Sequence, residues 1–191
     1  FWQVIRFAAP NLMAGNVGLL KHSENATGCA TALAELFSDA GFPDGVFEAL
    51  LVDKARVEPI LEDERIRGIT LTGSTRAGAA VAAQAGRAIK KTVLELGGSD
   101  PFIVMHDCDF DRTLDKAVVA RTQNNGQSCI AAKRFIVVRN VYKKWLPLFI
   151  EEMQRAISGD PLEPETTLGP LARKDLRDLL HDQLQRSLEL G

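Results

Sequence analysis

A disulfide framework is the first thing this 191-residue sequence lacks. Its three cysteines are an odd count without framework spacing, which points to a reducing, cytoplasmic compartment. Long hydrophobic runs are missing too. None reaches the roughly 18 apolar residues that a membrane span needs, so no membrane partner is expected. Charge of one sign is also missing. Lys and Arg number 23 against 25 Asp and Glu, a net −2 with the signs interspersed, so no basic face favours nucleic acid. Histidine is scarce. His22, His106 and His181 stand at no metal-ligand spacing to a cysteine, and no metal site is expected. A strict G-x-G-x-x-G is absent, as are internal repeats and low-complexity tracts. The chain opens on FWQVIRF without Met or a signal peptide and stops after SLELG, where a helix is expected to finish. It reads as a fragment truncated at both ends.

What is present is an ordinary globular composition, 46% apolar and 25% charged, enough to build a core. Helix-like and strand-like segments alternate. NATGCATALAELFSDAG carries Ala26, Cys29, Ala30, Leu33, Leu36, Phe37 and Ala40 on one helical face, and Gly41 and Pro43 stop it. Phe47–Val52 and Gly68–Gly73 read as strands, and so do Lys91–Leu96, Pro101–Met105 and Arg134–Arg139. VEPILED is a short helix in which Pro59 is tolerable near the first turn. Ser74 or Thr75 can cap an Ala-rich helix running to about Ile89. Further helices are predicted from about Asp111 to Gln123, over VYKKWLPLFIEEMQRAI with a kink at Pro147, and over RKDLRDLLHDQLQRSLEL. Strands alternating with helices predict an α/β fold with a mainly parallel, doubly wound sheet. LGGSDP interrupts two strands with paired glycines and a proline, and is the best candidate for a domain junction.

Four segments could carry chemistry, and each has a bland alternative. TLTGSTRAG turns from a strand at Gly73 into a helix starting near Ser74. A helix N-terminus suits phosphate, although the same residues make an ordinary capped turn. LLKHSEN places Lys21 at the end of a strand and Glu24 three residues on, where they could hold ribose hydroxyls or simply be solvated. VLELGG sets one acid, Glu95, in an apolar strand. Buried there, it would have its pKa raised, as a general base needs; on an edge strand it would face water. NNGQSC presents Cys129 on a glycine turn, exposed to activation by nearby N–H groups, or else as inert filler. Cys29 and Cys108 read as core and loop residues. Together the four suggest a thiolate that attacks an aldehyde, hydride loss to a nicotinamide, and release of the acid by a water that Glu95 deprotonates.

At this point the chain resembles the aldehyde dehydrogenase superfamily over essentially its whole length. APNLMAGNVGLLKHSEN, TLTGSTRAG, VLELGGSDPFIV, NNGQSC, RFIVV and GDPLEPETTLGPL look like family blocks in order, and the 34-residue step from Glu95 to Cys129 matches the family spacing. The resemblance implies the aldehyde dehydrogenase fold: a Rossmann-like NAD(P)-binding domain over 1–96 and the first part of an α/β catalytic domain over 97–191. It implies Cys129 as nucleophile and Glu95 as general base, with Lys21 and Glu24 on the adenosine ribose and Gly73 and Ser74 at the cofactor phosphates. RIRGITLTGSTRAGAAVAAQAG and AAKRFIV look most like bacterial succinate-semialdehyde dehydrogenases, in which Arg6 would grip the substrate carboxylate. Two positions depart from that pattern. Gln123 stands where some such enzymes carry a second arginine, and Ala131 where some carry a second cysteine. The acid at Glu24 favours NAD, with NADP possible because Lys21 and His22 flank it. The implied partner is a small aldehyde, and the implied parent a homodimer or homotetramer. The alternatives are a CoA-acylating aldehyde dehydrogenase, against which Glu95 argues, and an inert cofactor-binding or structural fragment.

Overall fold

Val4, Ile5, Phe7, Ala8 and Leu12 recur at helical spacing, and they form the packed face of α1 (Trp2–Met13). The sequence reading left this segment unassigned. Pro10 lies inside it and has no N–H to give the Arg6 carbonyl, so one helical hydrogen bond is missing in the last turns. These residues belong to a computed structural model that describes residues 1–191. The chain divides into two compact units, Phe1–Gly97 and Gly98–Gly191, with the division inside LGGSDP.

The first unit continues with β1 (Gly18–Leu20), α2 (Thr27–Asp39), β2 (Phe47–Ala49), α3 (Val57–Glu62), β3 (Gly68–Thr72), α4 (Thr75–Arg87) and β4 (Lys91–Glu95). β1 pairs with β2 and β3 with β4, both in parallel, with α2 and α4 as the crossovers. One core joins α1, α2 and the β1–β2 pair through Val4, Ala8, Leu33 and Phe47. Phe37 packs on Phe47 with ring centroids 4.6 Å apart. α4 lies against the β3–β4 pair so closely that a Cβ at Gly78 would sit 2.6 Å from Leu96 Cδ2. Pro59 falls in the first turn of α3, where its missing N–H costs nothing.

The second unit holds β5 (Asp100–Val104), α5 (Phe110–Thr122), β6 (Ala132–Val137), α6 (Arg139–Gln154) and α7 (Lys174–Leu190). β5 and β6 pair in parallel across α5, with a register shift between Asp100 and Pro101. Val104, Leu114, Ala117 and Trp145 form its core, and Cys108 packs against them. Trp145 stacks on Phe149 at 4.5 Å. α6 runs through Pro147 as one helix, so the expected kink does not break the element. The leucines of α7 (Leu176, Leu179, Leu180, Leu184 and Leu188) are all exposed.

The parallel pairings expected from the alternating pattern are therefore present, each in a βαβ unit. The strands pair two by two, two pairs in the first unit and one in the second. β1 and β2 are only three residues long, and each strand has one ladder partner, so the helices supply most of the packing. No helix is long and apolar enough to cross a membrane.

Candidate functional site

In the first unit, the chain leaves the carboxyl ends of β1 and β2 around an open depression of about 230 Å3 lined by His22, Glu24, Thr27 and Leu50–Asp53. This is the sheet edge at which α/β folds hold ligands. Glu24 lies at its rim and makes a 3.7 Å ion pair with Lys54, a residue the sequence reading did not single out. Lys21 turns back to donate to the His22 carbonyl at 3.2 Å. The Ser23 N–H donates to His22 Nδ1 at 2.8 Å. Burial lowers the His22 pKa, helped by the nearby positive charge of Lys21.

At the end of β3, Ser74 caps α4: its Oγ accepts from the Ala77 N–H at 3.2 Å. The Gly73 N–H is already committed, donating to the Glu95 carbonyl at 3.0 Å. The free N–H groups here are those of the first turn of α4, beginning at Ser74 and Thr75.

Glu95 ends β4, and its side chain is 48% exposed. Of the two alternatives for Glu95, buried in the strand or facing water on an edge strand, the structure shows the second. β4 has β3 as its only partner, and the Glu95 carboxylate faces water beside a guanidinium. That guanidinium is Arg6, whose Nη2 lies 3.3 Å from Glu95 Oε1. Two residues to which sequence reading gave separate tasks thus meet in one place.

In the second unit, Cys129 is exposed on the turn between α5 and β6, while Cys29 and Cys108 are half-buried. Asn124, Asn125 and Gly126 all take left-handed backbone, at φ 50°, 55° and 72°. Asparagine and glycine are the residues that do so at least cost. The side chains of the turn are used as braces. Asn125 Oδ1 accepts from the Gly169 N–H at 2.8 Å, and Gln127 Oε1 from the Ala172 N–H at 3.0 Å. These bonds tie the turn to the LGPLA stretch. Gln123, the departure noted above, donates from Nε2 to Ser128 Oγ at 3.2 Å. Arg121 donates to the Gly126 and Ala132 carbonyls, both at 2.6 Å. Lys133 donates to the carbonyls of Ser128, Cys129 and Ala131. Neither cation was legible as a site residue. Both act on backbone, which leaves no side-chain motif in the sequence.

Gly126 is doubly constrained. Its φ is +72°, and a Cβ would lie 3.0 Å from Arg121 Nη2. Gly126→Ala is expected to cost about 1–2 kcal/mol of stability, from left-handed strain and a displaced Arg121 hydrogen bond. Denaturant unfolding of the two chains measures it, and an equal midpoint would refute the argument.

The fold class is the α/β, Rossmann-like one, and the sequence family follows. The model of the aldehyde dehydrogenase family matches residues 1–191, and the chain belongs to that family. It is 52% identical over 190 residues to an aldehyde dehydrogenase of Paenarthrobacter nicotinovorans, covering all of this chain and 42% of that one. It is 53% identical to a succinate-semialdehyde dehydrogenase [NADP(+)] of Mycobacterium avium, covering 40% of it. The crystal structure of succinic semialdehyde dehydrogenase from Streptococcus pyogenes, in complex with NADP+, superimposes with a TM-score of 0.96 at 38% identity, again over all of this chain and 42% of the other. The chain spans about two fifths of the length of the relatives it matches.

Proposed function

We infer that the whole protein containing this chain is an NAD(P)-dependent aldehyde dehydrogenase acting on succinate semialdehyde. In this reading residues 1–96 bind the dinucleotide and residues 97–191 carry the nucleophile. The observation that supports the reading is the braced turn: Cys129 is exposed just after the left-handed run Asn124–Gly126, on a turn held by Arg121, Lys133, Asn125 and Gln127.

The residues present fit the cofactor. The depression beside Glu24 and Lys54 suits an adenosine ribose, and the first turn of α4 suits a diphosphate. The pairing of Glu24 with Lys54 offsets the repulsion the acid would exert on a 2′-phosphate. The relatives named for NADP(+) weigh the same way, so NADP is taken alongside NAD. When bound, the nicotinamide supplies a hydride acceptor.

The Cys129 thiolate adds to the aldehyde carbon, and the carbonyl oxygen gains the negative charge. The Cys129 N–H donates to no protein acceptor and can hydrogen-bond that oxygen. Loss of hydride leaves a thioester on the sulfur. Glu95 then takes a proton from water, the hydroxide attacks the thioester carbon, and the carboxylic acid leaves as the thiolate is regenerated. Arg6 offers the substrate's distal carboxylate a bidentate partner, which means sharing a guanidinium that already pairs with Glu95.

The test is a substrate panel on the full-length protein. Succinate semialdehyde is expected to be preferred over uncharged aldehydes of equal length. Arg6→Ala is expected to raise its KM by about 10–100-fold, the value of a charge-assisted hydrogen-bond pair. A panel without preference for carboxylated aldehydes would remove the substrate assignment. An Arg6→Ala enzyme with unchanged preference would remove the residue.

A further inference from the structure

Five carbonyl oxygens of the seven residues from Gly126 to Ala132 accept hydrogen bonds from two cations. Arg121 holds the two ends, at Gly126 and Ala132. Lys133 holds the middle, with Nζ 3.2 Å from the Ser128 oxygen, 2.8 Å from that of Cys129 and 2.9 Å from that of Ala131. An ammonium has three donors, and here all three go to backbone within five residues of the lysine itself. Lys133 is half-buried, and it makes no ion pair with any acid. A partly desolvated lysine spent wholly on carbonyls is an uncommon use of a charge that usually sits in water.

The consequence for the turn is geometric. In a trans peptide the C=O and the next N–H point opposite ways. With the Ser128 and Cys129 oxygens drawn to Lys133 Nζ, the N–H groups of Cys129 and Ile130 point away from the ammonium. Neither donates to a protein acceptor. Two consecutive peptide planes are thus fixed on either side of the thiol, and a flip of either would break a charge-assisted hydrogen bond.

We propose that Lys133 is a positioning residue for Cys129, an ammonium clamp that orients the peptide planes of the nucleophile turn and keeps its thiol reactive. The proposal rests on the reading of Cys129 as the nucleophile, yet it is tested without turnover. In the chain itself, iodoacetamide alkylation of each cysteine is followed by peptide mass mapping. The thiolate sulfur displaces iodide, and each site reports its own rate. Lys133→Met keeps the length of the side chain and removes the charge. Lys133→Arg restores a cation with several donors.

Lys133→Met is expected to slow Cys129 alkylation about tenfold at pH 7 while Cys29 and Cys108 keep their parental rates, and Lys133→Arg to recover most of the loss. A variant that merely loosened the fold would do the opposite, since half-buried Cys29 and Cys108 would open and react faster. Where Lys133→Met does not fold, Lys133→Gln, which can still hydrogen-bond a carbonyl, replaces it with the same expected slowing. Cys129 alkylation at the parental rate in the uncharged variant overturns the clamp. So does a Lys133→Arg chain as slow as the uncharged one. If Cys129→Ala left aldehyde turnover intact while the alkylation result held, the catalytic reading would fail and the clamp would stand.

Discussion

Cys129→Ala in the full-length protein is expected to abolish aldehyde oxidation, lowering kcat by roughly 10⁴-fold or more, equivalent to about 5.5 kcal/mol of transition-state stabilisation. The size follows from the absence of a substitute. Cys29 lies on α2 and Cys108 packs into the core around Trp145, both half-buried. Ser128 is adjacent, but its Oγ accepts from Gln123, and no histidine, carboxylate or lysine hydrogen-bonds it as a base would. Without the sulfur there is no thiohemiacetal, and a hydrated aldehyde is a poor hydride donor. Dinucleotide affinity should be kept, because the groups assigned to it lie in Phe1–Gly97 and the cysteine in Gly98–Gly191. The paired measurement is steady-state oxidation and a fluorescence titration of reduced dinucleotide. Undiminished turnover sinks the mechanism. Lost turnover together with lost dinucleotide binding would instead mark a folding defect.

What could be read from the sequence follows the range of the interactions involved. Helix caps and crossovers are local, so Ser74 at the start of α4, Pro59 in the first turn of α3 and the parallel pairing of consecutive strands were legible. The left-handed run at Asn124–Gly126 was legible as a tight turn, because those residue types tolerate positive φ. Which strands share one sheet was not legible, since hydrophobic pattern sets the face of a strand and not its neighbours. Glu95 shows the same limit. An acid in VLELGG reads as buried only if the strand is central, and β4 has a single partner. The pairing of Arg6 with Glu95 joins residues far apart in the chain, and the work of Arg121 and Lys133 is done on carbonyl oxygens that every residue possesses. Family resemblance marked Cys129 and Glu95, while the residues that hold their surroundings became visible through geometry alone.

Glu95→Gln separates the two halves of the proposed reaction. Attack of Cys129 on the aldehyde and loss of hydride need no base of Glu95's kind once the sulfur is a thiolate, whereas hydrolysis of the thioester needs a group to take a proton from water. The variant is therefore expected to give one equivalent of reduced dinucleotide per site in a rapid burst, followed by a steady state slowed about 10²–10⁴-fold. Mass spectrometry after the burst should find the acyl group on the peptide containing Cys129. Glutamine is nearly isosteric but uncharged, so the 3.3 Å ion pair to Arg6 is lost and the guanidinium is left free. Because deacylation limits the variant's steady state, KM for succinate semialdehyde should fall along with kcat while kcat/KM holds. A KM that rises as much as it does in Arg6→Ala would place Glu95 in substrate binding. A variant with no burst and no acylated peptide would move Glu95 to the first chemical step. Because the carboxylate is exposed and bound to an arginine instead of desolvated, its role as base depends on substrate drawing Arg6 away, and the order of burst and stall is the result that tells whether it does.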